Sequence, residues 1–160
     1  MKPASLSTIV PDTFLTTSSL YDEKTFYAAF LGDLESCKKE IIIESPFITS
    51  ERMKTFEGIF KKLLARGVKI YIITRDPKEH TEGMEIQSEE AIRWGESMGI
   101  QFLLCLGNHH RKLAILDRKV LWEGSLNILS QVYSREIMRR IEKQELALEM
   151  FNFLKLDKFI

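Results

Sequence analysis

The chain has little that would tie it to a membrane, an oxidising compartment or a metal. Only two cysteines, Cys37 and Cys105, occur among 160 residues. Both fall where apolar faces are expected, so they read as isolated buried thiols of a reducing compartment, not as a disulfide framework. No apolar run approaches the length that spans a bilayer. The N-terminus, Met-Lys-Pro-Ala-Ser-Leu-Ser-Thr, has one positive side chain and no continuous apolar core, which argues against a secretory signal and makes the cytoplasm the expected location. Net charge is missing too. With 23 basic against 23 acidic residues, bulk attraction to a polyanion is not expected. No internal repeat is visible, and no Asp/Glu/His cluster has ligand spacing, so neither a metal nor a cofactor is expected. Histidine is scarce, with three residues in all.

What is present is an ordinary globular composition, 44% hydrophobic and 29% charged, in a length that suits one domain with a proper core. Residues 1–20, rich in Ser, Thr and Pro, read as a lead-in or linker, and 21–160 as the domain. From Asp22, expected as a helix N-cap, a helical stripe runs through Phe26, Tyr27, Phe30, Leu31, Leu34 and Cys37. Ile41-Ile42-Ile43 is a buried strand stopped by Pro46. Ser50 is expected to cap a second helix that ends at Gly67. Val68–Thr74 reads as a strand, Ile86–Met98 as a helix closed by Gly99, and Ile100–Leu106 as a strand. Lys112–Asp117 and Val120–Glu123 form two more around a tight turn at Arg118-Lys119. Arg135–Ile141 reads as a further strand and Lys143–Phe153 as a closing helix. The Lys112–Asp117 strand is apolar on both faces, which places it inside a covered sheet. Alternating strands and helices predict an α/β sandwich with a mixed, largely parallel central sheet.

The charge, although balanced overall, is uneven. Between Gly107 and Gln144 eight Lys/Arg face four Asp/Glu, so the final third is net positive, while Glu79–Glu96 is acidic. The positive third carries the most informative segment, His110-Arg111-Lys112-Leu-Ala-Ile-Leu-Asp117, followed by Gly124-Ser125-Leu126-Asn127. In extended chain His110 and Lys112 share a face, roughly 6–7 Å apart. A nucleophile or proton carrier beside a fixed positive charge suits attack on phosphorus. Other residues take plainer readings. His109 is expected on the opposite face and His80 in a solvated loop. Trp94 and Trp122 are core packing, Arg139 and Arg140 a solvated strand edge, and Glu82, Glu85, Glu89 and Glu90 an exposed helix face.

The segment resembles the H-x-K-x-x-x-x-D signature of the phospholipase D superfamily with its downstream G-S-x-N turn, and the order of elements from Phe26 to about Glu142 is similar too. The resemblance implies a phospholipase D-like α/β/α sandwich and a metal-independent phosphodiesterase, foremost an endonuclease on DNA or RNA. It makes His110 the nucleophile of a phosphohistidine intermediate, with Lys112 and Asn127 holding non-bridging oxygens. Ser125 joins the substrate-binding set from a turn before an expected helix. Asp117 orients its neighbours, and Glu136 bonds a histidine nitrogen not used in catalysis. The superfamily needs two histidines, and this chain has one H-x-K frame. The resemblance therefore implies a homodimer with one active site at its interface. Two other readings are a non-catalytic nucleic-acid-binding module of a larger helicase or restriction system, and a lipid phosphodiesterase or phosphatidyl transferase. No membrane association is expected.

Overall fold

Three consecutive β-branched residues, Ile41, Ile42 and Ile43, put apolar side chains on both sides of an extended chain, which is stable only between two covering layers. The computed structural model describes residues 17–160 apart from 131, and its sheet is built around that strand. In chain order the elements are β1 (Thr17–Asp22), α1 (Phe26–Ser36), β2 (Glu40–Glu44), α2 (Ser50–Thr55), α3 (Glu57–Ala65) and β3 (Lys69–Arg75). There follow α4 (Glu82–Met98), β4 (Gln101–Cys105), β5 (Leu113–Leu116), β6 (Val120–Gly124), β7 (Ile137–Glu142) and α5 (Gln144–Phe153). Short 3-10 turns lie at Pro77–Glu79 and Leu156–Lys158.

The strands form one seven-stranded sheet in the order β1-β7-β6-β5-β2-β3-β4. The sheet is mixed, as expected. Its parallel share is smaller than the alternation suggested, because parallel pairing is confined to β2, β3 and β4. The other four pairings are antiparallel. Among the described residues no helix intervenes between β5 and β6 or between β6 and β7, and without a crossover the chain returns antiparallel.

Alternation along the strands builds two cores. One face, with Ile41, Ile43, Ile70, Ile72, Ala114 and Leu116, packs under Phe26, Phe30 and Leu34 of α1 and under α2, α3 and α4. The other, with Ile42, Tyr71, Ile73, Leu113, Ile115 and Leu121, is covered by Ala147 and Phe151 of α5 and by Leu156. Trp122 is fully buried as expected, edge-on to Phe26 at 5.2 Å, with its indole N–H donated to Asp33 at 2.8 Å. Both thiols are free, and burial pushes that of Cys37 up to about 12.

Several local expectations need correction. Thr17–Leu20, read as lead-in, pair with β7; residues 1–16 lie outside the described residues. Asp22 is not the cap of α1. Its carboxylate accepts from the N–H groups of Lys24 and Thr25 and from the Thr25 hydroxyl, shaping the turn before the helix, and Thr25 is the N-cap. Thr49, not Ser50, caps α2, its hydroxyl accepting from the Arg52 N–H at 3.3 Å. The second helix is also interrupted at Phe56, whose buried ring stacks on Phe60 at 5.3 Å. Among the described residues no helix begins between Ser125 and β7; Asn127 to Ser130 is a turn.

Candidate active site

Strand directions decide what meets what. β5 runs antiparallel to β2, so its first residue, Leu113, lies opposite Glu44, the last residue of β2. β6 returns and ends at Gly124, opposite Met138 near the start of β7. One edge of the sheet therefore gathers the ends of β2, β3 and β6 with the starts of β5 and β7, a common place for ligands in α/β sheets.

His110 and Lys112 stand on that edge, in extended chain leading into β5. The Lys112 ammonium lies 2.9 Å from His110 Nδ1 and donates to the His110 carbonyl at 2.8 Å. An ammonium has only donors, so Nδ1 accepts and a neutral ring carries its hydrogen on Nε2. The positive charge of Lys112, then partial burial and Arg75, hold His110 below the ordinary histidine range, so the ring is neutral at neutral pH. For Nε2 to attack, Lys112 must swing from the ring to the substrate and the ring hydrogen must move to Nδ1. An arriving phosphate supplies the charge that draws the ammonium away.

The Gly124 N–H bonds the Lys112 carbonyl at 3.3 Å, setting the G-S-x-N turn beside the lysine. A Cβ at Gly124 would come within 2.1 Å of the Ile137 carbonyl oxygen, so β7 crosses too closely for any side chain there. Ser125 is a clamp. Its hydroxyl accepts from the Ile137 N–H at 3.0 Å and faces the Ile137 carbonyl at 3.4 Å, so the expected substrate-binding group is engaged with β7. Asn127 is half-buried, and its side-chain oxygen has no hydrogen-bond partner among the described residues. Glu136 precedes β7 and accepts from the Ser134 hydroxyl; its charge acts on Lys112, while no bond joins it to His110.

Asp117 is elsewhere. The four residues of β5 carry it to the opposite edge, where its carboxylate accepts the N–H groups of Lys38 and Lys39 at 2.8 Å each and of Glu40 at 3.0 Å. The neighbours it orients are backbone groups between α1 and β2, and the structure does not bring it to His110 and Lys112.

The other histidines frame the site. His109 faces away, as expected, with Nε2 buried 3.9 Å from a carboxylate oxygen of Glu44. His80 is not solvated: its ring lies on Phe47 at 5.0 Å, and its Nε2 is buried with no hydrogen-bond partner among the described residues. Burial lowers the pKa of both rings. Arg140, expected at a solvated edge, is held by Asp33 and Glu142, whereas Arg139 is exposed and bonds Ser18. The acidic residues of α4 form no group of three or more with metal-binding placement among the described residues.

The motif reading missed Glu44. This carboxylate is fully buried and takes both ends of the Arg111 guanidinium, at 3.0 and 3.1 Å, which pins the residue between His110 and Lys112. Burial raises its pKa, against the pull of Arg111. Its signal was available: an acidic residue closing an apolar triplet, Ile41–Ile43, at a strand end. Beside Lys112 opens a cleft of about 570 Å³, floored by Leu113, Met150 and Leu154 and rimmed by Leu20, Ile137 and Phe153.

A mixed sheet of this order, with a histidine-lysine pair and a glycine-serine turn on one edge, defines a phospholipase D-like domain. Residues 30–156 match the family described as cardiolipin synthase, PLD-like domain, and the chain belongs to that family. Among solved structures it is similar to Nuc from Salmonella typhimurium, a phospholipase D family member. Identity is 18%, covering 88% of this chain and 93% of that one, with a TM-score of 0.70. NucT from Helicobacter pylori is also 18% identical, over 88% and 94%, at 0.68. Phosphatidylserine synthase from Haemophilus influenzae is 14% identical, over 89% and 38%, at 0.66. No curated protein sequence matches. No helix among the described residues is long and apolar enough to cross a membrane.

Proposed function

We propose that this protein is a metal-independent phosphodiesterase that cleaves nucleic acid through a phosphohistidine on His110, at a site shared by two copies of the chain. The contact between His110 and Lys112 on an open sheet edge carries the reading: a neutral, exposed imidazole beside a movable ammonium. Lys112 stabilises charge on the phosphoryl oxygens, and Asn127 offers an amide. A second imidazole must protonate the leaving oxygen. His80 and His109 are poor donors because their Nε2 atoms are buried, which supports a second His110 from a partner copy. The exposed side chains of Leu20, Ile137 and Phe153 beside Lys112 support it further, as apolar surface that a partner would cover.

The experiment is a trap. The protein is incubated in EDTA with end-labelled oligonucleotide and denatured, and label that is acid-labile and base-stable should stay on wild type and vanish in His110→Asn. Absence of bound label during active turnover would refute the covalent route. A second reading, a lipid phosphodiesterase, has the same cleft in its favour, since its apolar floor fits an acyl chain. Release of headgroup from phospholipid vesicles, with no cut in oligonucleotide, would favour it.

A further inference from the structure

Not all of the arginine charge in the sheet is neutralised. Arg111 is paired with Glu44, Arg118 with Glu40, and Arg140 with Asp33 and Glu142. Arg75, the last residue of β3, is half-buried, and among the described residues no carboxylate lies within 4.0 Å of it. The acidic residues nearest in sequence are committed to backbone: Asp76 to the Lys78 N–H, Glu79 to the N–H groups of Gly107 and Asn108. Arg75 Nε donates to the His109 carbonyl at 3.2 Å, and Cζ lies 5.0 Å from the centroid of Phe47. Those two contacts fix the guanidinium plane and leave its terminal nitrogens without a hydrogen-bond partner among the described residues. A half-buried guanidinium held in this way is positioned to take an anion.

Its position suggests which anion. The same Phe47 ring meets His110 edge to face, with centroids 6.3 Å apart. Phe47 thus touches both the reacting histidine and the unpaired arginine, and is steadied by His80. In the sheet β3 is separated from β5 by β2, two strand spacings or about 10 Å. That is a separation of backbones, which long side chains shorten, so the Arg75 guanidinium reaches the edge beside the phosphate that Lys112 faces, on the side where the next phosphate of a strand laid along the edge would lie. A guanidinium fork suits the task, since it takes phosphate oxygens bidentately.

We propose that Arg75 binds a second phosphate, one nucleotide along from the phosphate that faces His110, and so selects a nucleic-acid strand over substrates with a single phosphodiester. The proposal rests on the phosphodiesterase reading of His110. It adds a substrate class and a residue outside the H-x-K signature.

The test uses the full chain. Binding of fluorescent oligothymidylate to His110→Asn is measured against salt, alone and combined with R75Q or R75K. One single-strand phosphate contact contributes about 0.7 to the slope of log K against log salt. R75Q should lower the slope by about that amount. R75K, which keeps the charge but loses the Nε bond to His109, should restore it. On the otherwise wild-type chain, R75Q should lower the ratio of oligonucleotide turnover to bis(4-nitrophenyl) phosphate turnover by about tenfold, the size of one charge-assisted contact. Inorganic polyphosphate, whose charges are more closely spaced, should compete less well than an oligonucleotide of equal charge. An unchanged slope in R75Q, an equal fall with both substrates, or equal competition by polyphosphate would overturn the proposal. If wild type hydrolyses neither substrate, the phosphodiesterase reading fails, and the slope still decides Arg75.

Discussion

Asp117→Ala removes a carboxylate that accepts three backbone N–H groups, from Lys38, Lys39 and Glu40, and it leaves alanine at φ 51°. Each hydrogen bond to a charged acceptor is worth about 1.5–3 kcal/mol, but the bonds from Lys38 and Lys39 are exposed and water replaces much of them. The loss is then about 2–3 kcal/mol; aspartate and alanine both carry a Cβ, so the left-handed backbone separates them little. In a chain of this size each kcal/mol lowers Tm by about 2–4 °C, so the midpoint should fall by roughly 4–12 °C. Asp117→Gly removes the carboxylate but relieves the backbone. Asp117→Asn keeps one acceptor oxygen and tolerates positive φ. The expected order of midpoints is wild type, Asn, Gly, Ala. Denaturation followed by circular dichroism measures it, with turnover recorded per folded molecule at a temperature where all four are native. Turnover should then be within a few-fold of wild type throughout. A Asp117→Asn protein that melts with wild type yet has lost activity by orders of magnitude would refute the reasoning, because the carboxylate would then act in the chemistry.

The histidines predict a pH dependence. His80, His109 and His110 all titrate below the ordinary range. Between those values and about 6.5 the unfolded chain binds more protons, so their contribution to stability is full above about pH 6.5 and lost as pH falls below it. Glu44, raised by burial, acts in the opposite sense. His109→Gln should flatten the acid limb of Tm against pH, and an unchanged limb would remove His109 from the account. Lys112→Ala should move the His110 midpoint upward in NMR titrations; no movement would mean that Lys112 does not set it. At the Glu44–Arg111 pair, truncation should be asymmetric. Arg111→Ala strands a fully buried carboxylate and should cost about 3–5 kcal/mol, whereas Glu44→Gln frees a half-exposed guanidinium to water and should cost about 1–3 kcal/mol. Equal losses in urea denaturation would contradict that order. Mixing wild type with His110→Asn should give activity that falls as the square of the wild-type fraction, and a linear fall would end the shared-site mechanism.

The sheet and its cores were largely readable because periodicity reports burial directly. Ile41–Ile43, the apolar Leu113–Leu116 run and the stripe of α1 each sit where the pattern placed them. Boundaries were less readable. Thr49 and Ser50 are equally good caps by composition, and backbone geometry chose the first. The break at Phe56 left no mark, since Phe56 and Phe60 continue the stripe on either side of it. His80 looked solvated because its loop is polar, whereas Phe47, more than thirty residues earlier, covers it.

The site was legible in proportion to how local it is. His110 and Lys112 meet because two residues of extended chain bring them together, which spacing alone conveys. Glu44, Phe47 and Arg75 reach the same edge through pairings between β2, β3 and β5, and no spacing encodes those. The same topology separates Asp117 from His110. With β5 antiparallel to β2, the start of β5 meets the end of β2, and the end of β5 meets its beginning, where the Asp117 N–H bonds the Glu40 carbonyl at 2.9 Å. One motif thus serves two edges of the sheet. Its histidine and lysine stand at the edge where β2 ends in Glu44, and its aspartate fastens the opposite edge, holding the turn into β2. Because β2 carries Glu44 and Lys112 leads into β5, a slip of one residue between these strands would turn Glu44 or Lys112 to the other face. On this view Asp117 reaches the chemistry only by fixing that register.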